Sequence, residues 1–307
     1  MYTGDIIYGE HICKKNYITS MKVSYMNKYV CHRIELSLHD NHKGPKIYTN
    51  YQRVAILVLY IKSGEGLRNF VKSLYDSRWP IWLGLKEIPS KSSVDEWMKK
   101  FDLTFIRKLL RESVKEYKPK VMAIDATGID SWRRSRHYER RIKQAGFRED
   151  YMPYAKADIL VDTNNKLIYD HNLRLKPRHD VLGAESIFKR VKIKNVLVLG
   201  DKGYDSEPLH EIAKLNGINL YAPVRNSQRN SPRGKYRKIC AKKPPINKGM
   251  RSIVESVIRS LKVRINSLRS RLPYMKKREF AWHILLYNLN VFVPLLKLLN
   301  FLLFIPN

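Results

Sequence analysis

Three carboxylates are placed where they could do chemistry together. Asp125 closes the apolar run KVMAID, Asp201 follows NVLVLG, and Glu255 lies in the segment GMRSIVESVIRSLKVRINSL. In an α/β sheet, a carboxylate at the C-terminal end of an apolar strand sits at the sheet edge, where ligands and metals bind. Glu255 is the only acid between Ser231 and Lys277, a stretch that holds fifteen lysines and arginines. A lone carboxylate there weakens binding to phosphate unless it does something a lysine cannot, and holding a divalent cation against a scissile phosphate is such a task. Two aspartates and a glutamate are hard oxygen donors that suit Mg²⁺ or Mn²⁺. Two such ions about 4 Å apart would activate the attacking oxygen and stabilise the leaving one. Taken singly, either aspartate reads as well as a turn or cap residue, and Glu255 as the partner of Arg251 or Arg259. The conjunction of the three is what favours the metal-holding reading.

The elements that must position these residues can be read from periodicity. After Tyr117 the chain turns to strands: KVMAID (120–125), then a hairpin over 157–175 joined at Asn164-Asn165. A helix pattern follows from Asp180 to Val191, then the apolar strand of NVLVLGDKGYD, a helix over Ser206 to Leu215 and a short strand INLYAPV. In the helix that begins near Gly249, Val254, Val257, Ile258, Leu261, Ile265 and Leu268 form the buried stripe. Arg251, Glu255 and Lys262 share the neighbouring polar face. This order predicts an α/β fold, a mixed sheet with helices on its faces. Asp130, Asp158, Asp162, Asp170 and Asp205 lie near the motifs and read as structural or solvated.

Four regions are expected: 1–50 without clear period, 51–117 a helical DNA-binding or dimerisation module, 118–275 the catalytic domain, and 276–307 an apolar helical tail. Within the second, Ser93 and Glu96 are spaced as a capping box that starts a helix. In the first, His11, Cys13, Cys31, His32, His39 and His42 lack the paired knuckles of a zinc site. The balance of 59 Lys and Arg against 28 Asp and Glu, a formal charge of +31, points to a polyanionic partner, with nucleic acid first. The three cysteines form no CxxC pair, and the opening MYTGDIIYGEHICKK lacks a secretory plan, so a cytoplasmic protein is expected. Polar residues and Pro294 interrupt the apolar tail, so no membrane span is expected.

The motifs AIDATGID, LVLGDKGYDSEPLHEIA and Arg251-x3-Glu255-x6-Lys262 resemble those of DDE-type insertion-sequence transposases. The third matches the family signature Tyr-x2-Arg-x3-Glu-x6-Lys except that Lys248 stands at the Tyr position. The segment WLGLKEIPSKSSVDEWMKKF also resembles the family's region before the catalytic domain. The resemblance runs from about residue 50 to 290 and implies a ribonuclease-H-like catalytic domain, preceded by a small helical N-terminal module. It implies Asp125, Asp201 and Glu255 as metal-holding catalytic residues, and double-stranded DNA as partner. Arg251, Lys262, Lys248, Arg259 and Lys202 are the expected DNA contacts, and a homodimer on DNA is expected. The span between the last strand and the Glu255 helix is too short for the β-rich insertion that some relatives carry. His179-Asp180 resembles a further family position, with Asp180 read more simply as a helix N-cap. The resemblance leaves room for two other readings, a non-catalytic DNA-binding derivative and a nuclease that only hydrolyses.

Overall fold

In the computed structural model the described residues are 28–40, 46–131, 144, 154–176, 178–225 and 232–291. His11, Cys13, His42, Pro294 and the tail beyond residue 291 lie outside them. The chain divides into two units, one of residues 1–113 with 285–307, the other of 114–284.

The first unit is helical. After a short helix α1 (28–33), α2 (Asn50–Ser63) starts at Thr49, whose side chain caps Gln52 while Gln52 caps back, and stops at Gly64, whose φ of 67° ends the helix. Its residues Val54 to Leu59 are all buried. Helices α3 (Leu67–Tyr75), α4 (Trp79–Trp82), α5 (Lys91–Lys100) and α6 (Leu103–Val114) follow. The start of α5 corrects the expected capping box at Ser93. Ser90, extended just after Pro89, accepts the amide of Ser93 at 3.1 Å and so begins the helix three residues earlier. Asp40 gathers Arg53, Lys100 and the Asn50 side chain, tying the loop before α2 to two helices.

The second unit is built on five strands in the order β3-β2-β1-β4-β5. They are β1 (Val121–Asp130), β2 (Tyr154–Asp162), β3 (Ile168–Arg174), β4 (Val196–Leu199) and β5 (Ile218–Tyr221). β1 to β3 form an antiparallel meander, and β4 and β5 join β1 in parallel through helical crossovers. The crossovers carry α7 (Asp180–Arg190) and α8 (Glu207–Leu215), which pack with one sheet face around Met122, Ile124, Leu160, Phe188, Val198 and Leu209. After α9 (Lys235–Lys242), α10 (Ser252–Ile265) packs on β1 and β2 with Val254, Val257, Ile258 and Leu261 buried. α11 (Pro273–Val291) then runs to the end of the described residues. This mixed sheet flanked by helices is a ribonuclease-H-like fold. Among the described residues no helix is long and apolar enough to cross a membrane.

β1 is longer than the apolar run alone predicts. Its partner β2 stays in register from Asp162 down to Tyr154, so β1 remains paired through Asp130 and Asp125 falls mid-strand. Against β4, however, the last parallel pair is Ala123 with Leu199, so Asp125 does lie beyond the end of the parallel ladder.

α7 approaches the sheet through Gly183, where an added Cβ would lie 2.0 Å from Asp158 Oδ2. Gly183→Ala must therefore displace α7 or Asp158, an overpacking cost of about 2 kcal/mol or more. A thermal melt should show the loss as a fall of several degrees, and an unchanged Tm would mean that α7 yields freely.

Candidate functional site

The register of β1 and β4 decides which residues meet. Met122 and Ile124 face α7 and α8, so by strand alternation Asp125 faces α10 on the opposite side. Continuing the pairing of Ala123 with Leu199 by two residues brings Asp125 level with Asp201. Asp201 begins a short 3-10 turn, Lys202–Tyr204, by accepting the amide of Gly203 at 2.7 Å. It thus acts as the turn residue that its position alone suggests, and the turn fixes its side chain. Gly203 leaves no room for a Cβ, which would come within 2.8 Å of Asp201 Oδ1 and 3.1 Å of Asp180 Oδ2.

Glu255 enters from the first turn of α10. Its carboxylate accepts Arg251 Nη2 at 2.5 Å, while Arg251 Nη1 stands 3.9 Å from Asp125 Oδ2. One guanidinium is therefore shared between two of the three carboxylates. The Asp125 side chain is 19% exposed and that of Glu255 52%, so the first is largely enclosed and the second faces solvent while bonded to Arg251. Burial raises the Asp125 carboxyl above its ordinary value. The amide of Ala126 and Arg251 oppose the rise, and the negative charges of Asp201 and Glu255 add to it. Asp201 and Glu255 are therefore near enough for their charges to act on Asp125.

Among the described residues no three His, Cys, Asp or Glu side chains are already gathered around a common point. Glu255 is turned toward Arg251 instead. The donor chemistry fits all the same, because the three side chains are hard carboxylate oxygens of the kind that suits a divalent cation, brought by three different elements.

Lys202, Lys248, Arg259 and Lys262 are exposed. Lys262 follows Glu255 by seven residues on α10, two helical turns along the same face. Lys248 lies on the 3-10 turn Ile246–Arg251 that leads into α10.

Other acids are engaged elsewhere. Asp158 is fully buried and held by Arg174 through contacts of 2.8 to 3.1 Å. Burial pushes its carboxyl up to about 7, with Arg174 opposing. Asp205, its side chain inaccessible, takes two 2.7 Å bonds from Arg237. Asp162 caps the β2–β3 turn by accepting from Asn164 N and Asn165 Nδ2. Asp170 pairs with Arg190 at 2.9 Å, and Asp130 is exposed. Asp180 departs from its expected part: His179 occupies the N-cap, and Asp180, the first helical residue, turns to Lys156 and approaches Arg174. Lys156 on β2 and Arg174 on β3 outcompete the helix's own amides for this carboxylate. Lys156, Arg174 and Arg225 were not foreseen. For Arg174 the one available signal was its diagonal place across from Asp158, two residues past the paired Asn172.

Residues 116–291 match the family described as transposase DDE domain. An uncharacterized protein of Aquifex aeolicus is 23% identical over 222 residues, which cover 69% of this chain. The match spans 66% of that protein's length, just under two thirds. A cryo-EM structure titled as a piggyBac transposase synaptic complex with hairpin DNA aligns over 87% of this chain and 72% of its own. Its identity of 13% and TM-score of 0.36 are too low to bear on the fold, which rests on the strand order above.

Proposed function

The chain belongs to the transposase DDE-domain family, and we propose that it binds the terminal inverted repeats of an insertion sequence, cleaves their phosphodiesters and joins the 3′-hydroxyl ends to target DNA. The observation that supports this reading is that Asp125 lies near enough to Asp201 and Glu255 to feel their charges, with Lys202, Lys248, Arg259 and Lys262 exposed in the same unit.

In the proposal Asp125, Asp201 and Glu255 hold Mg²⁺ or Mn²⁺. Two such ions, when bound, supply the activation of the attacking oxygen and the stabilisation of the leaving one. The chain's own residues do the rest. The turn at Gly203 fixes the Asp201 carboxylate, and the β1 backbone fixes that of Asp125. Arg251 moderates the charge between Asp125 and Glu255 and is placed to meet a phosphodiester that approaches them. Lys202, Lys248, Arg259 and Lys262 offer point charges along the DNA backbone. Both ends of an element must be processed together, so a homodimer on DNA in the cytoplasm is part of the proposal.

The test is to mix the protein with a labelled duplex carrying the DNA that flanks its coding region, add Mn²⁺ and follow both nicking and joining. Nicked and joined products are expected. Nicking without joining would leave a nuclease, and binding without nicking would leave a DNA-binding derivative. Affinity should also fall by about a thousandfold between about 50 and 200 mM salt if six or more phosphates are contacted. A fall of less than about tenfold in a binding titration would remove the basic row from the interface.

A further inference from the structure

The loop that follows α10 is held by a buried carboxylate outside the candidate site. Glu279, on α11, accepts the amide of Arg269 at 2.9 Å on Oε1 and that of Ser270 at 2.7 Å on Oε2. The Arg269 guanidinium stands 3.8 Å from the same carboxylate. One turn earlier on α11, Lys276 is buried as well and donates its Nζ to Ser131 O at 2.5 Å. The amide of Leu268 completes the junction by donating to Asp130 O at 2.8 Å. Asp130 is the last residue of β1 and Ser131 follows it, so the loop 266–272 and the first turns of α11 are fastened to the end of the strand that carries Asp125.

The lengths of strand and helix match. From Asp125 to Asp130 β1 advances by about 17 Å, at roughly 3.4 Å per residue. From Glu255 to Ile265, its last residue, α10 advances by about 15 Å at roughly 1.5 Å per residue. Because α10 packs on β1, a junction that fixes Leu268 beside Asp130 sets Glu255 level with Asp125. The buried stripe of Val254, Val257, Ile258 and Leu261 chooses the face that α10 turns to the sheet, but apolar contact is non-directional and tolerates sliding, whereas hydrogen bonds do not. At the site end the link between the two elements is Arg251, which bonds Glu255 and stands 3.9 Å from Asp125. A divalent cation held by those carboxylates would compete with Arg251 for them, and the junction at the far end then has to keep the spacing.

We propose that Glu279, with Lys276, is a positioning residue for the carboxylate site: by fastening the loop after α10 to the end of β1, it sets the distance of Glu255 from Asp125. The inference rests on the metal-dependent cleavage reading above. A carboxylate suits the task because both of its oxygens accept backbone amides. In Glu279→Gln one of those amides faces an NH2 donor instead, and the loop is released. Lys276→Met keeps the length of the side chain and removes only the bond to Ser131.

Wild type, Glu279→Gln and Lys276→Met, each as the full chain, can be titrated with Mn²⁺ by following the free-ion electron paramagnetic resonance signal, with Glu255→Gln subtracted to isolate the ions that Glu255 holds. The same titration is followed by nicking of the flanking duplex. Both variants are expected to weaken Glu255-dependent Mn²⁺ binding by about tenfold and to raise the Mn²⁺ needed for half-maximal nicking by the same factor. At saturating Mn²⁺ the nicking rate should stay within about threefold of wild type, with affinity for the duplex unchanged. Circular dichroism melts set a temperature at which each variant is folded, where a variant that is merely less stable keeps the wild-type Mn²⁺ dependence. Unchanged Mn²⁺ affinity in a folded variant, or a loss of nicking that saturating Mn²⁺ does not restore, would overturn the positioning role alone. A wild type that holds no Glu255-dependent Mn²⁺ and does not nick DNA would overturn the cleavage reading and this inference with it.

Discussion

Glu255→Gln is expected to lower Mn²⁺-dependent nicking of end-containing DNA by about a thousandfold or more while DNA binding persists. The amide keeps the size and the hydrogen-bonding reach of the side chain but not its charge. The Glu255 side chain is half exposed and sits at the start of α10, so the fold loses little. Removing a negative charge from a basic surface should, if anything, tighten binding to DNA. Asp125→Ala and Asp201→Ala should be equally inactive, although Asp201→Ala also frees the amide of Gly203 and loosens the 3-10 turn. A gel assay of nicking beside a binding titration separates the two effects. Retention of nicking within about tenfold by Glu255→Gln would remove Glu255 from the site. Parallel loss of binding and nicking would make its role structural.

Asp158→Ala should be the most damaging substitution in the second unit that leaves the carboxylate site untouched. Asp158 is fully buried, and Arg174, its side chain 13% exposed, donates to both of its oxygens. Truncation leaves a guanidinium without its main partner, at about 3–5 kcal/mol, or roughly 10 °C in Tm. Asp158→Asn keeps the volume and tests the protonation. The folded carboxyl titrates at about 7 against an ordinary 3.8, because burial disfavours its charge. From about pH 4 to 7 the folded chain therefore keeps a proton that the unfolded chain has released, and stability from this group is lost as pH rises. His283 works in the opposite direction, since burial lowers its imidazole to about 4. Only the difference between wild type and Asp158→Asn isolates Asp158. That difference should shift against wild type between about pH 4 and 7, and a flat difference in Tm would refute the assignment.

Much of the second unit could be read from sequence because its patterns are local. The run VLVL before Gly200, the stripe of Val254, Val257, Ile258 and Leu261, and the helix opening at Asp180 each declare an element within a few residues. The three carboxylates could be picked out for the same reason, since each lies in or beside such a run. What sequence concealed depends on register. β1 extends to Asp130 because β2 pairs with it that far, and nothing in ATGID itself announces a strand. The pairing of Asp158 with Arg174 requires the β2–β3 register, which shifts at a bulge between Leu160 and Val161. The part played by Asp180 required knowing that Lys156 lies beside α7, and local capping rules pointed elsewhere. The start of α5 was missed by three residues because serines at 90, 92 and 93 compete as caps and only the backbone before Ser90 decides.

The central place of β1 has a consequence for how the chain folds. Its antiparallel partner β2 is the next strand in sequence, so that ladder closes a comparatively short loop, whereas its parallel partner β4 lies beyond β2, β3 and α7. Loop-closure entropy favours the meander of β1 to β3 as an early structure, with the parallel pairing that sets Asp125 beside Asp201 forming later. Glu255 is a further 54 residues on, counting from 201 to 255, and emerges last during synthesis. On the proposed reading, an incompletely made chain therefore lacks Glu255 together with the lysines and arginines around it, so the last carboxylate and most of the expected DNA contacts arrive in one step.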